Sequence, residues 1–298
     1  MTYREWFAIP HVSAGGDRKI SPLFLSREGE GTGRRRSGAL DSGAGLALVR
    51  PSLRRCRQSS LSEREPILNI PGVVTALCLA MIVIHAVRVF LLGDDADREV
   101  LLAFAFIPAR FETSLAGAWF PGGAAGDAWT FVTYGFLHAD WTHLAVNVLW
   151  LAVFGSAVAR RFGTVRSLVF FAVTAAAGAL GHLAAVGTAF VPVIGASAAV
   201  SGFTAAALRF VFQAGGPLGA MRAGGEGAYQ VPALGLADMI RNGPVMGMIA
   251  VWIAVNVAFG AINLPMPGFE GQIAWQAHLA GFAAGLFLFR FFDPVPAT

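Results

Sequence analysis

Ser197, within Gly195-Ala196-Ser197-Ala198, and His278, within Ala277-His278-Leu279-Ala280-Gly281, are the residue types of a nucleophile and its base. A serine hydroxyl attacks poorly until a neighbour takes its proton, and histidine does so near neutral pH. Acyl transfer also needs hydrogen-bond donors aimed at the oxyanion that develops. The backbone amide of Ser197 is one candidate, because it opens an apolar helix whose N-terminal dipole favours negative charge. His143 and Asn147, four residues apart on one helix face, supply two more. Plainer roles compete at each position. A serine in a membrane helix most often bonds its own backbone, and an Asn or His there can simply join helices. Ser201, one turn below Ser197, is a rival nucleophile without the helix-start position. His138 and His143, with Asp140, make an incomplete metal set, so neither a metal nor another cofactor is expected. His85 and His182 have no evident partner, and His11 lies in the N-terminal tail.

These residues need unusual elements to hold them. From Ser197 to Arg209, the first charge on its helix, there are twelve residues. That is about 18 Å of helix against a bilayer core about 30 Å thick. The preceding run Phe190-Val191-Pro192-Val193-Ile194-Gly195 is uncharged, and Pro192 and Gly195 discourage continuous helix. An irregular segment therefore dips into the membrane and starts a helix at depth. Such backbone is tolerated only where protein or a water-filled cavity surrounds it. Twelve residues also separate His278 from Arg290, and thirteen separate Asn147 from Arg160. If each arginine marks one interface, Ser197, His278 and Asn147 share a level. For Ser197 and His278 to touch, their helices must approach closely. Ala277, Gly281 and Gly285 on one, and Ala198 and Gly202 on the other, permit this, and Gly195 frees the turn above.

Composition fixes the class. The chain of 298 residues is 55% hydrophobic and 13% charged, about half the charge of a soluble domain. The fold class is an all-α polytopic membrane protein. Six apolar spans are drawn at about 72–92, 136–157, 166–187, 195–213, 245–263 and 272–291, making a membrane domain over 67–293. The long first loop, about 93–135, calls for short interfacial helices, with Trp119, Phe120 and Trp129 at headgroup level. Arg160, Arg161, Arg166, Arg222, Arg241 and Arg290 gather on one side, and Arg98 and Arg110 on the other are outnumbered by acids. The positive-inside rule puts both termini in the cytoplasm, and richness in Ala, Gly and Arg points to a bacterial inner membrane. Residues 1–65 hold 12 of the 22 basic residues and 7 of the 18 acidic ones. The basic excess thus belongs to a disordered tail, 1–66, and gives no reason to expect a nucleic-acid partner. Cys56 and Cys78 are too few and too far apart in type of segment for a structural disulfide. The Gly- and Pro-rich segment 214–243 is longer than a connection requires, and no function is read from it.

Three motifs, taken together, resemble the rhomboid family of intramembrane serine proteases. They are His138-Ala139-Asp140-Trp141-Thr142-His143-Leu144-Ala145-Val146-Asn147 on span two, Gly195-Ala196-Ser197-Ala198 on span four, and Ala277-His278-Leu279-Ala280-Gly281 on span six. The similarity covers about 68–292, including the six-span plan and the long first loop. It implies a Ser197–His278 dyad without a third acid, an oxyanion site from His143, Asn147 and the Ser197 amide, and His138 shaping a hydrated cavity. It also implies membrane-protein substrates cleaved within their transmembrane segments near small, helix-destabilising residues. Span five and the loop before span six would be the lateral gate. Two positions depart from the family's pattern. Ala198 follows the serine where Gly is common, which would crowd the cleft. Ser201 replaces an aromatic residue that packs on the histidine, a role that Phe203 or an aromatic on span six would have to take. The alternatives are a non-catalytic rhomboid-like protein that binds membrane clients, and a transporter with broken helices.

Overall fold

Long apolar runs free of internal proline make helices, since in lipid each backbone polar group must find its partner within the segment. The computed structural model describes residues 70–112, 120–221, 225–262, 264 and 273–296, all within one unit whose main part is Leu68–Thr298. The tail 1–66, with Cys56 and His11, lies outside the described residues, as do Trp119, Arg222 and most of the loop before span six, Glu270 included.

Among the described residues there are nine α-helices: α1 (Gly72–Phe90), α2 (Asp94–Phe104), α3 (Gly123–Thr133), α4 (Trp141–Phe162), α5 (Thr164–Val186), α6 (Ser197–Leu208), α7 (Leu236–Arg241), α8 (Gly243–Ala261) and α9 (Trp275–Phe292). Four of them, α1, α4, α5 and α8, are long and apolar enough to cross a membrane. α6 is apolar but only 12 residues long, and α9 has 18 residues, among them Gln276, His278 and Arg290. The protein is an all-α polytopic membrane protein. The second span begins later than 136 because the Asp140 carboxylate accepts from His143 N at 2.7 Å and caps the helix there. His138 consequently precedes the helix. The fourth helix stops at Leu208, short of 213, and the chain then turns under the bundle.

α6 is the centre. Every residue from Ala198 to Leu208 is buried, as expected of a helix apolar on all sides. It runs parallel to α9 in tight register. A Cβ placed on Gly281 would strike the Ala198 carbonyl, and one on Gly285 would lie 2.5 Å from Gly202 Cα. Gly202 in turn accommodates Thr174 of α5, whose Cγ2 would be 2.5 Å from an added Cβ. The small residues singled out in the sequence therefore do bring these backbones together.

The segment leading into α6 is irregular, and its backbone groups find partners in the first loop. Phe106 and Val193 form a two-way antiparallel bridge, with N–H to O distances of 3.1 and 2.8 Å, and Gly195 N donates to Tyr134 O at 3.0 Å. Tyr134 is itself fixed by its hydroxyl, which donates to Ala175 O of α5 at 2.9 Å. The loop is held from within. Arg110, counted in the sequence among the charges on that side, is buried instead: it donates to Leu102 O and Pro121 O, pairs with Asp127 at 3.4 Å and covers the Phe120 ring. Arg88 of α1 joins Asp97 at 2.7 Å and the His138 carbonyl at 2.9 Å.

The described residues of the segment 214–243, unexplained by sequence, pack against the end of the bundle that carries Arg161 and Arg209. Buried Arg161 pairs with Asp293 at 2.8 Å and donates to Tyr229 O and Val231 O. Arg209 donates to Leu234 O at 2.8 Å and to Leu286 O of α9 at 3.1 Å. The carbonyls of Tyr229, Val231 and Leu234 lie outside any α-helix, and these arginines satisfy them. The α6–α9 contact yields the prediction that Gly285→Leu, by wedging the helices apart, lowers stability by about 1–3 kcal/mol or more; equilibrium unfolding in mixed micelles measures this.

Candidate active site

Ser197 is the first residue of α6 and His278 lies in the first turn of α9. The glycine register below them sets both side chains at one height, and His278 Nε2 is 2.7 Å from Ser197 Oγ. On its other side the ring's Nδ1 is 2.7 Å from Asn256 Oδ1 of α8. The Asn256 amide is oriented by its Nδ2, which donates to Trp252 O at 2.8 Å. An amide oxygen can only accept, so Nδ1 carries the imidazole proton. Nε2 then presents its lone pair, and the serine hydroxyl donates to it. This is the tautomer a general base requires.

Ser197, His278, His143, Asn147, Trp252 and Asn256 line one cavity of about 280 Å³, flanked by α4, α6, α8 and α9. His143 is placed by its capped amide, and its ring rests on Gly195. A Cβ there would be 2.6 Å from Cε1 and Nε2 of the ring, and the glycine φ is +114°. Asn147 donates from Nδ2 to His143 O at 2.9 Å; an amide nitrogen has a second hydrogen to offer. The three oxyanion candidates therefore share the space beside Ser197. His138, expected to shape the cavity, does not line it. It is buried behind, with Nε2 3.5 Å from Ala196 N and its ring edge-on to His143 at a centroid distance of 5.1 Å. His85 packs edge-on against Trp141, and His182 contacts Val191 O at 3.1 Å.

The Rhomboid domain family model matches residues 125–292, more than half of the chain, and so spans α3 through α9 and all of this site. The chain belongs to the rhomboid family. Rhomboids are in general intramembrane serine proteases. Among curated proteins none matches this chain.

Within the rhomboid pattern, the two departures noted in the sequence have physical outcomes. Ala198 does not crowd the cleft: it lies outside the cavity lining and faces α5, where Gly178 leaves room for its methyl group. Ser201 is no rival nucleophile in this arrangement, because its hydroxyl donates back to Ser197 O at 2.7 Å. Phe203 does not replace the missing aromatic. It is buried edge-on against Phe170 at 5.2 Å. The contact that holds the His278 ring comes from Asn256, which sequence reasoning passed over. A signal existed, since an amide within the apolar run of span five demands a partner.

At Gly195 a side chain meets both a left-handed backbone and the His143 ring. Gly195→Ala is expected to lower stability by about 1–3 kcal/mol and to displace that ring; unfolding curves and the His143 imidazole ¹⁵N shifts report the two effects separately.

Proposed function

We propose that this rhomboid-family chain is an intramembrane serine endopeptidase that cleaves transmembrane segments of membrane-protein substrates, with Ser197 as nucleophile and His278 as general base. The observation that carries this reading is the 2.7 Å contact between His278 Nε2 and Ser197 Oγ, with Asn256 Oδ1 2.7 Å from the ring's other nitrogen. Nε2 takes the hydroxyl proton as Oγ bonds to the scissile carbonyl carbon. The negative charge that moves to the carbonyl oxygen is met by the Ser197 amide, His143 and Asn147, donors held in place before the reaction. The imidazolium then protonates the leaving amine as the C–N bond breaks. Water, deprotonated by the same base, releases the acyl group and restores the serine.

A peptide bond is open to attack only where its carbonyl is not tied into a helix. This favours substrates with small, helix-destabilising residues near the cleavage point, sites where a transmembrane segment can unwind. Access is through the side of the bundle at α8. α8 is less buried within the bundle than α1, α4 and α5, so moving it would disturb the least packing. No metal or other cofactor has a part in these steps. The partners are the lipid bilayer and the substrate segment. Both termini are assigned to the cytoplasm of a bacterial cell, where the arginine-rich end of the bundle would face.

Ser197→Ala and His278→Ala should each abolish cleavage of a reconstituted membrane substrate and labelling by a fluorophosphonate probe, with folding intact. Asn147→Ala should retain labelling and lower kcat by about 100-fold, the usual loss for one oxyanion donor. Undiminished cleavage by Ser197→Ala would falsify the assignment.

A further inference from the structure

We propose that Asn256 is a positioning residue for the His278 base, so that span five contributes to the chemistry as well as flanking the cavity. The proposal rests on the reading of His278 as the base.

An imidazole has two neutral tautomers and a ring that can turn about its side-chain bonds. A base that must present Nε2 to a hydroxyl needs both choices made for it. Among the described residues the ring's hydrogen-bond partners are Ser197 Oγ and Asn256 Oδ1. The serine hydroxyl can donate or accept, so it selects neither tautomer. The amide oxygen can only accept, so it selects one. Phe203 does not hold the ring, since it packs on Phe170, and Ser201, which stands in place of the aromatic, is turned to its own backbone.

Asn256 is itself well fixed. It is buried, its Nδ2 is bound to Trp252 O, and a π-helical turn over Val257–Ala261 follows immediately. One turn earlier, Trp252 stacks on Phe282 of α9 with centroids 4.3 Å apart. One turn later, Gly260 lies against Trp275, whose Cβ would be 2.5 Å from an added Cβ. These two contacts bracket the Asn256–His278 bond above and below. The bond itself acts directly on the ring.

The bond also strengthens as reaction proceeds. When Nε2 takes the serine proton the ring becomes a cation, and Nδ1–H is then a charge-assisted donor to Oδ1. An interaction stronger in the transition state than in the ground state raises kcat rather than binding.

The test compares Asn256→Leu, similar in size and suited to an apolar span, with Asn256→Asp, which keeps an acceptor at the same place. Asn256→Leu should lower kcat by about 10- to 100-fold with KM within about twofold, and Asn256→Asp should recover most of the loss. In ¹⁵N-histidine spectra of the full chain in micelles, the His278 signal, assigned by its loss in His278→Gln, should show Nδ1–H in the parent and mixed tautomers in Asn256→Leu. A kcat within twofold of the parent for Asn256→Leu, or a parent ring protonated on Nε2, overturns the proposal. If Asn256→Leu does not fold, the parent tautomer decides alone. That spectrum needs no activity, so a failure of the protease reading, seen as cleavage by Ser197→Ala, is distinguishable from a failure here.

Discussion

The approach of α6 to α9, backbone against backbone, is the constraint on which the site depends. Gly281 on the Ala198 carbonyl and Gly285 on Gly202 leave no side chain between the two helices for a full turn. In lipid there is no hydrophobic drive for helices to associate, so close packing of small residues and polar contacts must do it. Because the helices run parallel and the register is locked one turn at a time, the height of His278 relative to Ser197 follows from the glycines below them. The 2.7 Å contact between His278 Nε2 and Ser197 Oγ rests on that approach.

The second constraint is the backbone that enters α6. A helix that begins only at Ser197 leaves its irregular lead-in without the intrahelical bonds that satisfy a helical segment. The first loop supplies those bonds instead, with Phe106 bridging Val193 and the Tyr134 carbonyl receiving Gly195 N. The loop is thereby a structural part of the site and not a decoration on it. Its own order comes from Arg110 and Arg88, whose charges are turned inward to carbonyls and carboxylates. At the other end Arg161 and Arg209 play the same part for the 214–243 segment. Guanidinium groups, with several donors in one plane, suit this work of satisfying irregular backbone.

Much of this was legible before any coordinates. A charge fraction of 13% and long apolar runs make a membrane protein. Equal spacing from Ser197 and His278 to their arginines led to the expectation of one level for both, because helical rise is constant, and the two side chains do meet. Small residues at four-residue spacing mark the faces that pack. What could not be read were the partners of individual polar atoms. Asp140 shifted a helix start by a few residues, since a cap depends on local geometry that periodicity does not report. Ala198 turned out to face α5, and Ser201 to face its own backbone. Each outcome depends on the rotation of α6 within its neighbours, about which a helix that is apolar all round says nothing.

By itself, then, the sequence determined the membrane class and the motifs, and its helical spacings led to the expectation that serine, histidine and asparagine share a level, because these follow from composition and from distances along single helices. Only the tertiary structure decided which atoms meet. It brought the Asn256 amide oxygen to within 2.7 Å of His278 Nδ1 across 22 residues of chain. It also placed His138 behind the cavity lining and tied Tyr229, Val231 and Leu234 of the 214–243 segment to Arg161 and Arg209. Those are relations between helices, and rise per residue carries no information about how one helix is turned towards another.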